Sequence, residues 1–289
     1  MKSINNKEFL QNKHQAGIIL RPNSKELKDV YLSIKEKFER HGIKTIIEKI
    51  SGEMIEVTDG LSLTMLAREC DFLVTIGGDG TLISVARRSI KFGKPILGIN
   101  LGTLGFLTSV LPEELDKFLS DFLEDIYTID SRMMIKAIIN KNKTIAFNDI
   151  VLKSKSVAHM VNIEAFIDGK KFNSYYGDGL VVSTPTGSTA YNLSSGGPVV
   201  YPLTDAFIVT PISAHSLTQR PLVLPADFEI ELKTPDENGA IVLIDGQDIY
   251  ELKKNESVKI KIANQKSKLI RSIERDYFSV LNQKLNWGK

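Results

Sequence analysis

Cysteine occurs once in this 289-residue chain, at Cys70, tryptophan occurs once and histidine four times. One thiol excludes an internal disulfide framework and a thiolate metal cage, in keeping with a reducing compartment, and Cys70 reads as a small buried hydrophobe. With His14, His41, His159 and His215 as the remaining soft ligands, a zinc site is not expected. Neither charge sign is in excess: 37 Lys and Arg stand against 35 Asp and Glu, which argues against a general nucleic-acid or membrane-surface binder. No apolar run reaches membrane-spanning length, and the opening Met1-Lys2-Ser3-Ile4-Asn5-Asn6-Lys7-Glu8 has no signal-peptide core. The expectation is a cytoplasmic protein with no nucleic-acid and no membrane partner. Also missing are the Gly-x-Gly-x-x-Gly dinucleotide fingerprint, the Gly-x-x-x-x-Gly-Lys-Ser/Thr phosphate loop, the Gly-x-Ser-x-Gly elbow and the His-Glu-x-x-His helix. These absences disfavour a nicotinamide dehydrogenase, a P-loop kinase, a serine hydrolase and a zinc protease.

What is present begins with Gly77-Gly78-Asp79-Gly80-Thr81 after the apolar run Phe72-Leu73-Val74-Thr75-Ile76. A β-branched run ending in glycines, then Leu82-Ile83-Ser84-Val85-Ala86, predicts strand, tight loop and helix start. Glycines without Cβ let backbone N–H groups meet an anion, and a helix N-terminus adds a favourable dipole. Asp79 stands within that loop, either as a metal-linked or proton-transferring group or as the shaper of an Asx turn. Around it, short apolar runs at 15–20, 43–48, 72–76 and 95–99 alternate with helical spacing. Leu27, Val30, Ile34 and Phe38 form one stripe, preceded by a capping pattern at Asn23-Ser24-Lys25-Glu26 and ended by Gly42; 61–70 and 112–122 follow as helices. Strands separated by helices predict parallel pairing, hence a three-layer α/β domain over 1–125, with ligands beyond the carboxyl ends of its strands. The second glycine-bearing loop, 100–108, follows such a strand.

Near Asp125 the rhythm changes to two-residue alternation, as in Val161, Ile163, Ala165, Ile167 and Phe228, Ile230, Leu232. Hairpin turns are expected at Lys141-Asn142-Lys143, Asp168-Gly169, Asn238-Gly239 and Asp245-Gly246. This predicts an all-β, sandwich-like domain over 126–264, with 265–289 returning to the first domain. Within it, residues 177–198 are dense in glycine and small hydroxyls, with Asp178 at the head and Tyr191 in the middle. One reading is a turn-rich connection. The other is a nucleoside site, in which hydroxyls and N–H groups bind and the Tyr191 ring packs on a base. Two such loops imply a phosphorylated or nucleoside ligand.

Gly77-Gly78-Asp79-Gly80-Thr81, Leu104-Gly105-Phe106-Leu107, Asn148-Asp149 and the 177–197 stretch together resemble the NAD kinase family, of the bacterial type that uses ATP or polyphosphate. The resemblance implies NAD and ATP as substrates, NADP as product, a divalent cation such as Mg2+, and a homodimer or homotetramer built through the β domain. It implies that Asp79 is the general base for the 2′-hydroxyl of the adenosine ribose and that Gly80 lies at the donor phosphates. Asn148 and Asp149 would hold ribose hydroxyls, and Phe106, Thr189, Ala190 and Tyr191 would wall the adenine. Asn192, Leu193 and Ser194 would complete that loop, Asp178 would meet the nicotinamide end, and Gln247 would close the site. His159 and Tyr176 match places often filled by basic residues near the dinucleotide. Asp149 departs from the usual glutamate by one methylene, and Tyr176 stands where arginine is common. The glycine-aspartate loop by itself also fits a lipid or sugar kinase, and the whole pattern also fits a non-catalytic NAD(H)-binding regulatory protein.

Overall fold

The computed structural model describes residues 10–102, 105–156 and 159–287; the opening Met1 to Glu8 and, in the second glycine-bearing loop, Thr103 and Leu104 lie outside the described residues. Two compact units are formed, Met1–Ser131 with Ser267–Lys289, and Arg132–Lys266.

In the first unit a sheet runs in the order Lys44–Ile47, Gln15–Leu20, Phe72–Ile76, Ile96–Ile99, Ser267–Arg271, Thr128–Arg132 among the described residues. The pairs from Lys44–Ile47 through Ser267–Arg271 are parallel, as helical crossovers require. Strand Thr128–Arg132 belongs to this sheet, so the division between units falls a few residues later than the change of sequence rhythm. One face packs Ile18, Leu20, Val74, Ile76, Leu97 and Ile99 against Tyr31, Ile34 and Phe38 of helix Lys28–Arg40 and Leu115, Phe118 and Phe122 of helix Leu115–Leu123. Each such fully buried side chain contributes about 1.5–3 kcal/mol. On the other face Gly17 lies against Leu66 of helix Leu63–Glu69, and Gly98 against Leu82 of helix Asp79–Ser89. Helices on both faces make three layers.

The capping box expected at Asn23 to Glu26 does not form. Ser24 instead accepts from Arg21 Nε at 2.8 Å and donates to Pro22 O, Glu26 pairs with Arg21, and the α-helix starts one turn later at Lys28. A neighbouring guanidinium engages both polar side chains alongside their local backbone hydrogen bonds.

The second unit holds two antiparallel six-stranded sheets among the described residues. One runs Lys170–Gly177, Val161–Ile167, Ile230–Lys233, Ser257–Ile262, Ile135–Ile139, Asn142–Ala146; the other Leu222–Pro225, Ala206–Ile212, Gly179–Ser183, Asp149–Lys153, Ala240–Ile244, Asp248–Leu252. Ile135, Ile163, Leu232 and Ile260 from the first meet Ile150, Leu152, Val182, Phe207 and Val242 from the second in one core, a sandwich. Asp168-Gly169 and Asp245-Gly246 turn hairpins with φ between 48° and 78° at these four residues, the left-handed region that favours Gly and Asp. The first expected turn sits at Asn140-Lys141, since Asn142 already pairs with Ile139. Asn238-Gly239 is no hairpin: the strands it joins, Ile230–Lys233 and Ala240–Ile244, lie in different sheets. An Asn-Gly pair specifies a local reversal, not which partner the next strand takes.

Candidate active site

In the first unit, strands Phe72–Ile76 and Ile96–Ile99 are neighbours, so the loops after their carboxyl ends meet. Gly78 precedes helix Asp79–Ser89, which begins at Asp79 and places its carboxylate in the favourable field of the first turn. The half-buried carboxylate is held by the second loop. Oδ1 accepts from Leu107 N–H at 3.2 Å, Thr108 N–H at 3.0 Å and Thr108 Oγ1 at 3.1 Å, while Oδ2 accepts from Phe106 N–H at 2.8 Å. Thr108, fully buried, also receives Asn100 Nδ2 and Gly105 N–H on its hydroxyl. Gly105 is required sterically, because a Cβ there would lie 2.0 Å from Asp79 Oδ1. Gly78 and Gly80 differ. A Cβ on either would meet nothing within 4 Å, so neither glycine is demanded by packing. The carbonyls of Phe106 and Leu107 accept from the buried Arg271 guanidinium at 3.3 and 2.7 Å.

The second unit repeats the device. Asp245, at the hairpin after Ala240–Ile244, accepts three consecutive N–H groups: Phe147 on Oδ2 at 2.8 Å, Asn148 and Asp149 on Oδ1 at 2.7 and 3.0 Å. The carbonyls of the same segment are met by hydroxyls and a backbone N–H. Thr184 Oγ1 donates to Phe147 O at 2.8 Å, and Asn148 O accepts from Ser183 Oγ at 3.2 Å and Thr184 N–H at 2.8 Å. Gly187 closes over Asn148, where a Cβ would come within 2.2 Å of its carbonyl oxygen. Asn148 Oδ1 and Thr186 Oγ1 are buried and have no hydrogen-bond partner among the described residues, an arrangement that a ligand's polar groups would satisfy. Asp149 is buried, and desolvation first, then the charge of Asp245, pushes its carboxyl up to about 7.

The expected site residues fall into separate groups. Asp79, Gly80 and Phe106 gather in the first unit. Asn148, Asp149 and the start of the hydroxyl-rich segment gather in the second, at the Ser183 end of strand Gly179–Ser183; Gln247 is exposed in the Asp245 hairpin. Asp178 precedes the other end of that five-residue strand, about 13 Å away. There it is exposed, its N–H bonded to Ile212 O, near Tyr176, whose ring lies 5.7 Å from that of His215. His159 is exposed and shares a 2.9 Å hydrogen bond with Ser156. In the 186–194 segment, Thr189, Ala190 and Leu193 are partly exposed, and Tyr191 and Ser194 exposed. Asn192 is fully buried: its amide donates to Ser188 O and Pro198 O and accepts from Thr210 Oγ1, so it fastens the segment to the sheet.

Sequence reasoning missed Asp245, Thr108, Thr184 and Arg271. Asp245-Gly246 signals a turn, but nothing local says that its carboxylate reaches back 96 to 98 residues. Among the described residues no three His, Cys, Asp or Glu side chains converge as metal ligands. Asp79 and Asp245 have turned their oxygens to backbone N–H groups, so the donor set does not fit a resident divalent cation.

These features define a two-domain class, a parallel α/β unit and an antiparallel sandwich, each presenting a loop fastened by an aspartate and suited to a hydroxyl-bearing phosphorylated ligand. Residues 16–127 match the ATP-NAD kinase N-terminal domain and 147–272 the ATP-NAD kinase C-terminal domain. Among relatives, the NAD kinase of Sulfurimonas denitrificans is 49% identical over 95% of this chain and 98% of its own length, and that of Wolinella succinogenes 46% over 95% and 96%. Among solved structures, yeast NADH kinase complexed with NADH superposes with a TM-score of 0.85 at 26% identity, covering 96% of this chain and 89% of that one. An NAD kinase from Archaeoglobus fulgidus in complex with ATP gives 0.76 at 25%, covering 94% and 98%. The chain belongs to the NAD kinase family.

Proposed function

We propose that this chain is an NAD kinase that transfers the terminal phosphoryl group of ATP to the 2′-hydroxyl of the adenosine ribose of NAD, giving NADP and ADP. The observation that carries the reading is the unequal loading of the Asp79 carboxylate. Oδ1 accepts three hydrogen bonds and Oδ2 one, so Oδ2 keeps an acceptor site for a substrate hydroxyl on a side chain held in place by four hydrogen bonds. As the ribose oxygen bonds to phosphorus and the bridging oxygen leaves with ADP, the hydroxyl proton passes to Asp79. Positioning of this kind is the main source of rate in phosphoryl transfer. Gly78 and Gly80, open on their outer side, suit donor phosphates approaching the backbone. Asn148 and Asp149 hold ribose hydroxyls. Phe106, Thr189, Ala190 and Tyr191 wall the adenine, with Leu193 and Ser194 beyond and Asn192 as their anchor. Asp178, Tyr176 and His159 serve the far parts of the dinucleotide, and Gln247 closes the site. A divalent cation such as Mg2+ would travel with the triphosphate, offsetting its charge.

ATP is favoured as donor by the family's domain descriptions, with polyphosphate as the alternative. A homodimer or homotetramer is supported by apolar side chains exposed in the second unit, Leu217, Leu222 and Val223. The protein is read as cytoplasmic; no helix among the described residues is long and apolar enough to cross a membrane. Matches to both family domains leave the lipid- or sugar-kinase alternative without support.

The test pairs turnover with calorimetry. Purified protein with NAD, ATP and Mg2+ forms NADP; Asp79→Asn binds NAD with affinity within about threefold of the parent but loses ~10²–10⁴ in kcat. NAD binding without NADP formation by the parent would instead establish the regulatory alternative.

A further inference from the structure

Phe106 C=O and Leu107 N–H belong to one peptide group, and Leu107 C=O and Thr108 N–H to the next. In both, the oxygen accepts from Arg271 Nη1 and the N–H donates to the Asp79 carboxylate. Two peptide dipoles are therefore aligned between a guanidinium and a carboxylate that do not touch. Each dipole has its negative end at the cation and its positive end at the anion, so each charge strengthens the other's hydrogen bonds through the peptide. Arg271 is 6% exposed, and the Asp130 carboxylate lies 3.9 Å from its Nε. A buried guanidinium needs its donors met, and the two loop carbonyls meet those of Nη1. Arg271 ends the strand Ser267–Arg271, contributed by the returning C-terminal segment, and the preceding residue of that strand accepts from Ser109 Oγ at 3.2 Å. The segment thus grips the loop twice.

We infer that Arg271 is a positioning residue for phosphoryl transfer. From 163 to 165 residues away in the chain, it sets the angle of the 106–107 and 107–108 peptides and, through them, which oxygen of Asp79 is occupied and which is left to the substrate. It touches neither substrate nor reacting atoms. The inference rests on the reading of Asp79 as the base, yet its physical core, control of the 105–108 loop, is independent of turnover.

The experiment therefore has two readouts. Amide hydrogen exchange is followed in the ligand-free protein at Phe106 to Thr108, with Phe147 to Asp149, the loop held by Asp245 in the second unit, as an internal control. Arg271→Met is expected to speed exchange at the first segment by about tenfold or more and to leave the second unchanged. Its kcat falls by a similar factor with a smaller rise in KM for NAD, and Arg271→Lys, able to reach one carbonyl at a time, falls between. On an Asp79→Asn background Arg271→Met has no further effect on the residual rate, because the group it positions is already gone. Parental exchange in Arg271→Met, or an equal proportional loss of rate on both backgrounds, would overturn the inference. If Arg271→Met does not fold, the same readouts on Arg271→Lys decide it. Full activity in Asp79→Asn would remove the base and not the clamp, since the exchange result still stands or falls alone.

Discussion

The two aspartate-held loops are one piece of engineering used in opposite senses. At 106–108 and at 147–149 three successive N–H groups converge on a carboxylate, and the intervening carbonyls are met from behind by donors. Under the proposed function the first aspartate is the working group and the loop its holder, whereas in the second the aspartate is the holder and the loop carries the proposed working groups, Asn148 and Asp149. The backing differs accordingly: a buried cation behind the first, the neutral hydroxyls of Ser183 and Thr184 behind the second. The cation behind the first loop strengthens, across two peptides, the hydrogen bonds that hold the proposed base. A loop that presents a raised acid would lose that character beside one, since a nearby positive charge favours the ionised form.

The sharpest way to break this comparison is to change both aspartates. Asp79→Asn should lose rate and keep affinity, as above, whereas Asp245→Asn should invert the profile. An amide has one oxygen where the carboxylate has two, so at least the Phe147 N–H meets an NH2 and the segment carrying Asn148 and Asp149 loosens; calorimetry should show NAD affinity falling by about tenfold or more. Unsatisfied donors should also lower the melting temperature by several degrees. Matching losses in the two variants, each in both rate and affinity, would mean the loops do not divide the labour.

A somewhat smaller effect follows from Asp149. Its carboxyl titrates at about 7 in the fold against 3.8 for the free group. A raised acid contributes stability that is fully present below the unfolded value and is lost as pH rises toward the folded one. Parent and Asp149→Asn should therefore unfold alike near pH 4, and the variant should become progressively the more stable up to pH 7 and hold a constant margin above it. The margin is on the order of 4 kcal/mol at most. Urea unfolding at pH 4, 6 and 8 reads it, and a flat difference across the series would show that Asp149 is ionised in the fold at neutral pH.

Much of this was legible in the chain, and the unread part has a common cause. The strand-loop-helix at 72–89, the parallel sheet, the sandwich and its returning tail follow from periodicity and punctuation, which are local. Asp79 stood out because glycines surround it. Asp245 did not, because Asp-Gly is explained by its turn, and its second duty, to residues 147–149, is a long-range fact. Arg271 sat at the end of an ordinary apolar strand. Asn192 fell within a stretch read as binding, while the fold spends its amide on Ser188, Pro198 and Thr210. Patterns give the ligand-facing chemistry; the groups behind them are chosen by tertiary contact.

The finest contrast lies between the glycines that close each loop. A methyl group at Gly105 would collide with Asp79 Oδ1, the end of a side chain, whereas one at Gly187 would collide with the Asn148 carbonyl, part of the backbone. A carboxylate can rotate away about its χ angles; a carbonyl moves only with its chain. Gly105→Ala should therefore displace the base and depress kcat, with a stability cost of about 1–3 kcal/mol from the donors the carboxylate leaves unmet. Gly187→Ala should cost about 1–3 kcal/mol and show in the melting curve before it shows in rate. Equal melting points with unequal rates would sharpen the division between the loops. A larger stability loss at Gly105 than at Gly187 would mean that the Asp79 carboxylate is as rigid as backbone, clamped from both sides by its three peptide N–H groups and the Thr108 hydroxyl.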